Sequence, residues 1–184
     1  MGSINEEDNL ELMDEVLEEE LKATLHSFQK DKSPGPGRWT IEFFKAACNT
    51  IGPELLKLVE ETGLNGHLHP PLNTTFLALI PKKDNSDSME DFSPISLWNI
   101  TYKVVAKVIA QRLKKVISKL ISNEQFGFLE NRQIHEAIAV AQEGMHSAKI
   151  KKSKGAILKI DLSKDFDRVS WLYLRLLLTH LGFN

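Results

Sequence analysis

Ile157-Leu158-Lys159-Ile160-Asp161-Leu162-Ser163-Lys164-Asp165-Phe166-Asp167-Arg168-Val169-Ser170-Trp171 runs an apolar stretch into a carboxylate and then into a helical pattern. Residues 156–161 read as a strand and about 168–181 as a helix. The acidic cluster between them has three readings. A calcium loop needs glycine at its sixth position and glutamate at its twelfth, where this chain has Phe166 and Leu172, so that reading fails. Aspartates also favour helix starts, where they complement the dipole, and from these residues alone that is the commoner explanation. The third reading is a magnesium ligand, a hard oxygen donor presented at a strand end. Asp161 stands 23 residues before the last residue of the sequence, close for the rest of such a site to follow.

Working outward, 184 residues with 42% hydrophobic and 26% charged content suffice for one or two globular domains. No apolar run approaches the roughly 18 residues that span a bilayer. The acidic start, Ile4 to Asp8, lacks a signal core, and Glu6 stands where myristoylation wants serine or threonine. A single cysteine, Cys48, excludes an internal disulfide and a cysteine zinc site. Asn73-Thr74-Thr75 and Asn99-Ile100-Thr101 match the glycosylation pattern by chance in such a chain. The expectation is an intracellular protein off the membrane, with nucleus and cytoplasm both open. The net charge of −2 conceals an asymmetry: residues 1–30 hold nine acidic and two basic side chains, so the remaining 154 carry +5. A basic body permits a nucleic-acid partner without requiring one.

Leu10, Met13, Leu17, Leu21, Leu25 and Phe28 recur at helical spacing, which predicts one amphipathic helix over about 9–29. Ser33-Pro34-Gly35-Pro36-Gly37 ends it. Two short helices follow, about 40–49 and 52–62, the second with Pro53 in its first turn, then a loop from His67 to Pro71. Residues 75–83 read as a strand ending in Lys82 and Lys83, with a return strand at 94–97. Asn99 is a candidate cap for a helix over 100–120. One face of that helix is apolar, and the other carries Lys103, Lys107, Arg112, Lys114, Lys115 and Lys119 with no acid among them. A solvated face and a phosphate-backbone contact are both readings of it. A further helix over 133–149 leads into a basic linker, Lys149, Lys151, Lys152 and Lys154.

Taken in order, the motifs are specific. Ser33-Pro34-Gly35-Pro36 comes first, then Leu79-Ile80-Pro81-Lys82-Lys83 and Asp91-Phe92-Ser93-Pro94-Ile95-Ser96-Leu97. Tyr102-Lys103-Val104 to Arg112-Leu113, then Gln125-Phe126-Gly127-Phe128 with Arg132, and finally Asp161 to Val169 complete the series. Over nearly all of residues 10–184 the chain resembles the reverse transcriptase domain of LINE-type non-LTR retrotransposons, particularly the plant-like branch. The resemblance implies an α+β fold, mostly helical: an acidic N-terminal helix over 1–30, a fingers-like region over 31–150, and the first strand and helix of a right-hand polymerase's palm over 151–184. It makes Asp161 the first catalytic aspartate, binding Mg2+ with help from the Leu162 carbonyl. Phe166 corresponds to the aromatic under the incoming sugar, and Lys82 or Lys83 to the lysine on the nucleotide triphosphate. Gln125, Gly127 and Arg132 match a segment associated with template and fold support, although a loop-to-helix turn accounts equally well for those three; Arg112, Lys114 and Lys115 are nucleic-acid candidates from the basic helix face alone. The implied partners are an RNA template, a DNA primer and deoxynucleoside triphosphates, with the oligomeric state open.

Four departures bear on activity. Gly37-Arg38 replaces the family's usual Asp-Gly. Ser93 replaces the arginine that would form a second triphosphate clamp, and serine supplies neither charge nor a bidentate fork. Asp165 replaces a small alanine. The paired-aspartate motif does not occur before Asn184, and two-metal transfer needs several converging carboxylates. The expectation is therefore a truncated reverse transcriptase domain, inactive as an isolated polymerase; the alternatives are a non-enzymatic nucleic-acid-binding module and a transposon relic.

Overall fold

The computed structural model describes residues 2–129, 131–162 and 168–184. Phe166, Asp165 and Asp167 lie outside these. In chain order the elements are α1 (Glu6–Met13), α2 (Glu18–His26), α3 (Ile41–Ala46), α4 (Cys48–Asn65), β1 (Thr75–Pro81), β2 (Phe92–Trp98), α5 (Ile100–Leu120), α6 (Ile134–Ile150) and α7 (Trp171–His180). Short 3-10 turns stand at Pro70–Leu72 and Met89–Asp91. The chain is thus mostly helical with a small antiparallel sheet, an α+β fold. No helix among the described residues is long and apolar enough to cross a membrane.

Residues 14–111 form one compact unit. Leu21 and Leu25 lie four apart on α2, and Val104 and Val108 four apart on α5, so each pair occupies one helix face. They meet Ile41 and Phe44 of α3 and Leu55 and Val59 of α4 in one core. Thr24 is wholly buried, and its hydroxyl donates to Gln111 Oε1 at 2.6 Å, which satisfies it. Three glutamates in the first turn of α2 face the positive end of its dipole. Beyond its last turn, Lys107 Nζ donates to the Ser27 carbonyl at 3.0 Å and lies 4.1 Å from the Phe28 ring centroid. Lys45 Nζ donates to Phe28 O at 2.9 Å. Gly35 abuts the backbone of Trp98 so closely that a Cβ would fall 2.4 Å from the Trp98 carbonyl carbon, which is why the proline-rich turn needs glycine there.

The single helix expected over 9–29 is two. Val16 is buried, and its N–H donates to the Glu60 carboxylate instead of a carbonyl one turn back, so the chain leaves the helix before α2 begins. Periodicity alone does not register a side chain drawn into the core from a break. α4 starts four residues before the expected 52, which moves Pro53 from the first turn into the helix body. The hairpin is present in the expected place, with Thr75 opposite Trp98, Ala78 opposite Ile95 and Pro81 opposite Phe92.

The other compact unit comprises the N-terminal residues through Met13 together with 112–184. Its buried apolar residues are Ile4, Val116, Leu120 and Leu181. Asn5 caps α1 reciprocally with Asp8: the Asp8 N–H donates to Asn5 Oδ1 at 2.8 Å and the Asn5 N–H to Asp8 Oδ2 at 3.3 Å. The first and last segments of the chain join here. Ile4 N–H donates to Leu181 O at 2.9 Å, Asn9 Nδ2 to Gly182 O at 2.6 Å, and Asn184 N–H to Asn9 Oδ1 at 3.2 Å. Gly182 has φ +94°, and a Cβ on it would lie 2.8 Å from Ile4 O. The strand expected over 156–161 is not formed among the described residues, whose only sheet is the β1–β2 hairpin. A strand exists by pairing, and this segment has no described partner.

Candidate nucleotide hairpin and catalytic carboxylate

The connection between β1 and β2 is built around Asp91. Ser88 and Asp91 form a capping box across the turn Met89–Asp91, and Asp91 Oδ2 also accepts from the Asp87 and Ser88 N–H groups at 3.1 and 3.2 Å. Lys83 Nζ pairs with Asp91 Oδ1 at 2.9 Å, and this lysine is the main cause holding the Asp91 carboxyl below its ordinary range. Lys82 Nζ donates to the Glu90 carbonyl at 2.9 Å. Lys82 and Lys83 are thus brought together on one exposed tip, each already holding an internal acceptor. Asp91 was not singled out as a functional residue, although the serine three positions before it was a legible capping-box signal. Ser93 lies opposite Ile80 in the hairpin and brings no positive charge to it.

The basic face of α5 has the acidic partners that its own sequence lacks. Lys115 Nζ pairs with Glu11 at 2.8 Å and Lys119 Nζ with Asp8 at 2.6 Å, both carboxylates coming from α1. Arg112 Nη1 donates to Leu12 O at 3.2 Å, and Lys114 is not a free cation either. The Lys119 contact is the first cause that keeps the Asp8 carboxyl below its ordinary 3.8 and raises the Lys119 ammonium above 10.5. These acids sit about a hundred positions away in sequence, which is why the face looks unpaired when the helix is read alone. Asn99 directly precedes α5 and its carbonyl accepts from the Lys103 N–H at 3.1 Å, while its side chain accepts from the Gly37 N–H at 2.7 Å and donates to Leu72 O and Thr74 Oγ1 at 3.3 and 3.2 Å. It ties the start of α5 to the proline-glycine turn.

Arg132 serves the fold. Its guanidinium donates to Gln125 O at 2.8 Å, to Ile121 O at 3.2 Å and to Ser122 O, taking up carbonyls just past the end of α5. Gln125 Nε2 donates to Gly127 O at 3.2 Å within the same turn. Exposed lysines 149, 151, 152 and 154 follow at the end of α6.

Asp161 and Leu162 are exposed. A carboxylate and a carbonyl are donors of the type magnesium prefers. No group of three or more His, Cys, Asp or Glu side chains able to hold a metal occurs among the described residues. Two oxygen donors are too few for a metal pair, and no reaction step follows from them. Phe166, the expected sugar-facing aromatic, falls outside the described residues.

Residues 80–184 match the family model described as reverse transcriptase (RNA-dependent DNA polymerase). The chain is also 33% identical, over 156 residues, to the transposon TX1 uncharacterized 149 kDa protein of Xenopus laevis. That alignment covers 85% of this chain and 12% of the relative's length. More than half of the chain lies within the family match. The chain belongs to the reverse transcriptase family.

Proposed function

We propose that this chain supplies the nucleotide-side hairpin and the first metal-ligating carboxylate of an RNA-directed DNA polymerase, and that by itself it does not polymerise. Asp161 carries this reading: it occupies the family's first catalytic position, and among the described residues no set of metal-ligating side chains joins it. Phosphoryl transfer through two ions roughly 3.5–4 Å apart requires several converging carboxylates. Lys82 and Lys83 are the groups that would meet a triphosphate, and Ser93 leaves that grip without its second cation. The experiment is primer extension on an RNA template by the purified chain, with Mg2+ and deoxynucleoside triphosphates. No extension is expected. Extension that Asp161→Ala abolishes would overturn the proposal.

A non-catalytic hold on nucleic acid is the second reading. The exposed lysines at 149, 151, 152 and 154 favour it over the α5 face, where Lys115 and Lys119 already face carboxylates. Affinity for single-stranded RNA should fall steeply with salt, and neutralising Lys151 and Lys152 should lower the logarithmic salt slope by about 1–2. An unchanged slope would sink this reading.

A further inference from the structure

Ser153 stands in a strongly basic stretch, Lys149-Ile150-Lys151-Lys152-Ser153-Lys154. Four ammonium groups in six residues are not buried without partners, so this stretch faces solvent whatever packs nearby. Its backbone closes α6. The Ser153 N–H donates to Ala148 O at 3.0 Å and the Lys152 N–H to Lys149 O at 3.2 Å, with Lys152 left-handed at φ +48°. The exposed Ser153 hydroxyl donates to the same Ala148 carbonyl at 3.3 Å. Residues 153–155 then follow in no helix or strand.

The negative end of the helix dipole accounts for Lys149 and Lys151, in or beside the last turn of α6. It does not account for Lys152, held in a conformation that lysine disfavours, or for Lys154 beyond the closing turn. All four cations flank one accessible hydroxyl. We propose that Ser153 is a phosphorylation site, taken by a serine kinase whose acidic groove selects cations at the two positions before its target. In the transfer, Ser153 Oγ bonds to the γ-phosphorus of ATP and the bond from that phosphorus to the β–γ bridging oxygen breaks. ADP leaves, and the hydroxyl proton passes to the kinase's catalytic carboxylate. The product sets a charge of about −1.5 to −2 among the four lysines and halves the positive charge of the stretch. The site itself does not depend on a bound nucleic acid. Its consequence rests on the reading in which these lysines hold RNA: phosphorylation then weakens that hold.

Incubating the full chain with a basic-directed serine kinase and γ-labelled ATP should place a phosphate on Ser153, located by mass spectrometry and lost in Ser153→Ala. Lys151→Glu combined with Lys152→Glu should lower kcat/KM at Ser153 about tenfold or more. Both lysines are exposed, so the double variant should keep the wild-type circular dichroism. Label confined to other residues, or an undiminished rate in the double variant, would overturn the proposal. Single-stranded RNA binding separates the site from its consequence. The phosphorylated chain should show a logarithmic salt slope lower by about 1–2 than the unmodified chain. If the unmodified chain has no salt-dependent affinity, the RNA reading fails while Ser153 stands as a site. Equal slopes before and after phosphorylation, with a lower slope in the lysine variant, would overturn the regulatory consequence.

Discussion

In the unit of residues 14–111, eleven buried apolar side chains from α2 to α5 and the break at Val16 meet in one cluster. Among its described residues, the unit of the N-terminal segment and residues 112–184 buries four, and adds a hydrogen bond from Asn9 to Gly182 and an ion pair between Asp8 and Lys119. Apolar burial is non-directional and nearly indifferent to pH and salt. Polar latches need geometry and charge, and exposed ion pairs contribute little. The first unit should therefore fail through loss of volume, the second through loss of a contact angle or through a proton gained by a carboxylate.

The largest expected effect tests the first half of that contrast. Leu21 is fully buried, and Leu21→Ala should destabilise the 14–111 unit by about 3 kcal/mol through lost transfer energy and the cavity left behind. Urea unfolding followed by the fluorescence of Trp39 and Trp98 measures it; a change well under 1 kcal/mol would mean that this core is not what holds the unit. Next is Gly182→Ala, which places a Cβ against Ile4 O at a positive φ and should cost about 2 kcal/mol. Faster amide exchange at Ile4 would report the opened latch, while unchanged exchange would show that the termini do not depend on it.

A gain is expected at Arg38. It adopts φ +58° where the family usually has glycine, so Arg38→Gly should stabilise the 14–111 unit by about 1 kcal/mol, shown by a higher urea midpoint. The smallest effect is a pH dependence. Because Lys119 holds the Asp8 carboxyl below 3.8 in the folded chain, this stabilisation is present above the unfolded value and is lost as pH falls through the folded one. Acid unfolding of the second unit should begin below about pH 4 and flatten in Asp8→Asn; an identical profile for the variant would remove the ion pair from the comparison.

The elements that local pattern determines were legible. α5 occupies residues 100–120 as its periodicity predicts, α6 is displaced by a single residue, and the hairpin pairs as expected. What depends on distant residues was not. The break at 14–17 follows from Glu60, and the pairing of Lys115 and Lys119 on α5 from Glu11 and Asp8. At the site, motif order singles out Lys82, Lys83 and Asp161 as candidates. That Lys82 and Lys83 are held by Glu90 and Asp91, and that Arg132 closes α5, depends on how a turn folds back. The apolar run 156–161 reads as a strand because propensity is local, while strand pairing is not.

The joining of the chain's two ends also sets a timetable for folding during synthesis. Every residue of the 14–111 unit is available once Gln111 has been made, whereas Ile4 waits for Leu181. At typical translation rates the intervening 70 residues take roughly 4–14 s, during which Ile4 and Asn9 lack their partners at Leu181 and Gly182, although the counter-charges Lys115 and Lys119 follow Gln111 within about 2 s. For that interval the 14–111 unit is complete while Ile4 and Asn9 still lack their carbonyl partners, a segment exposed to chaperones and proteases.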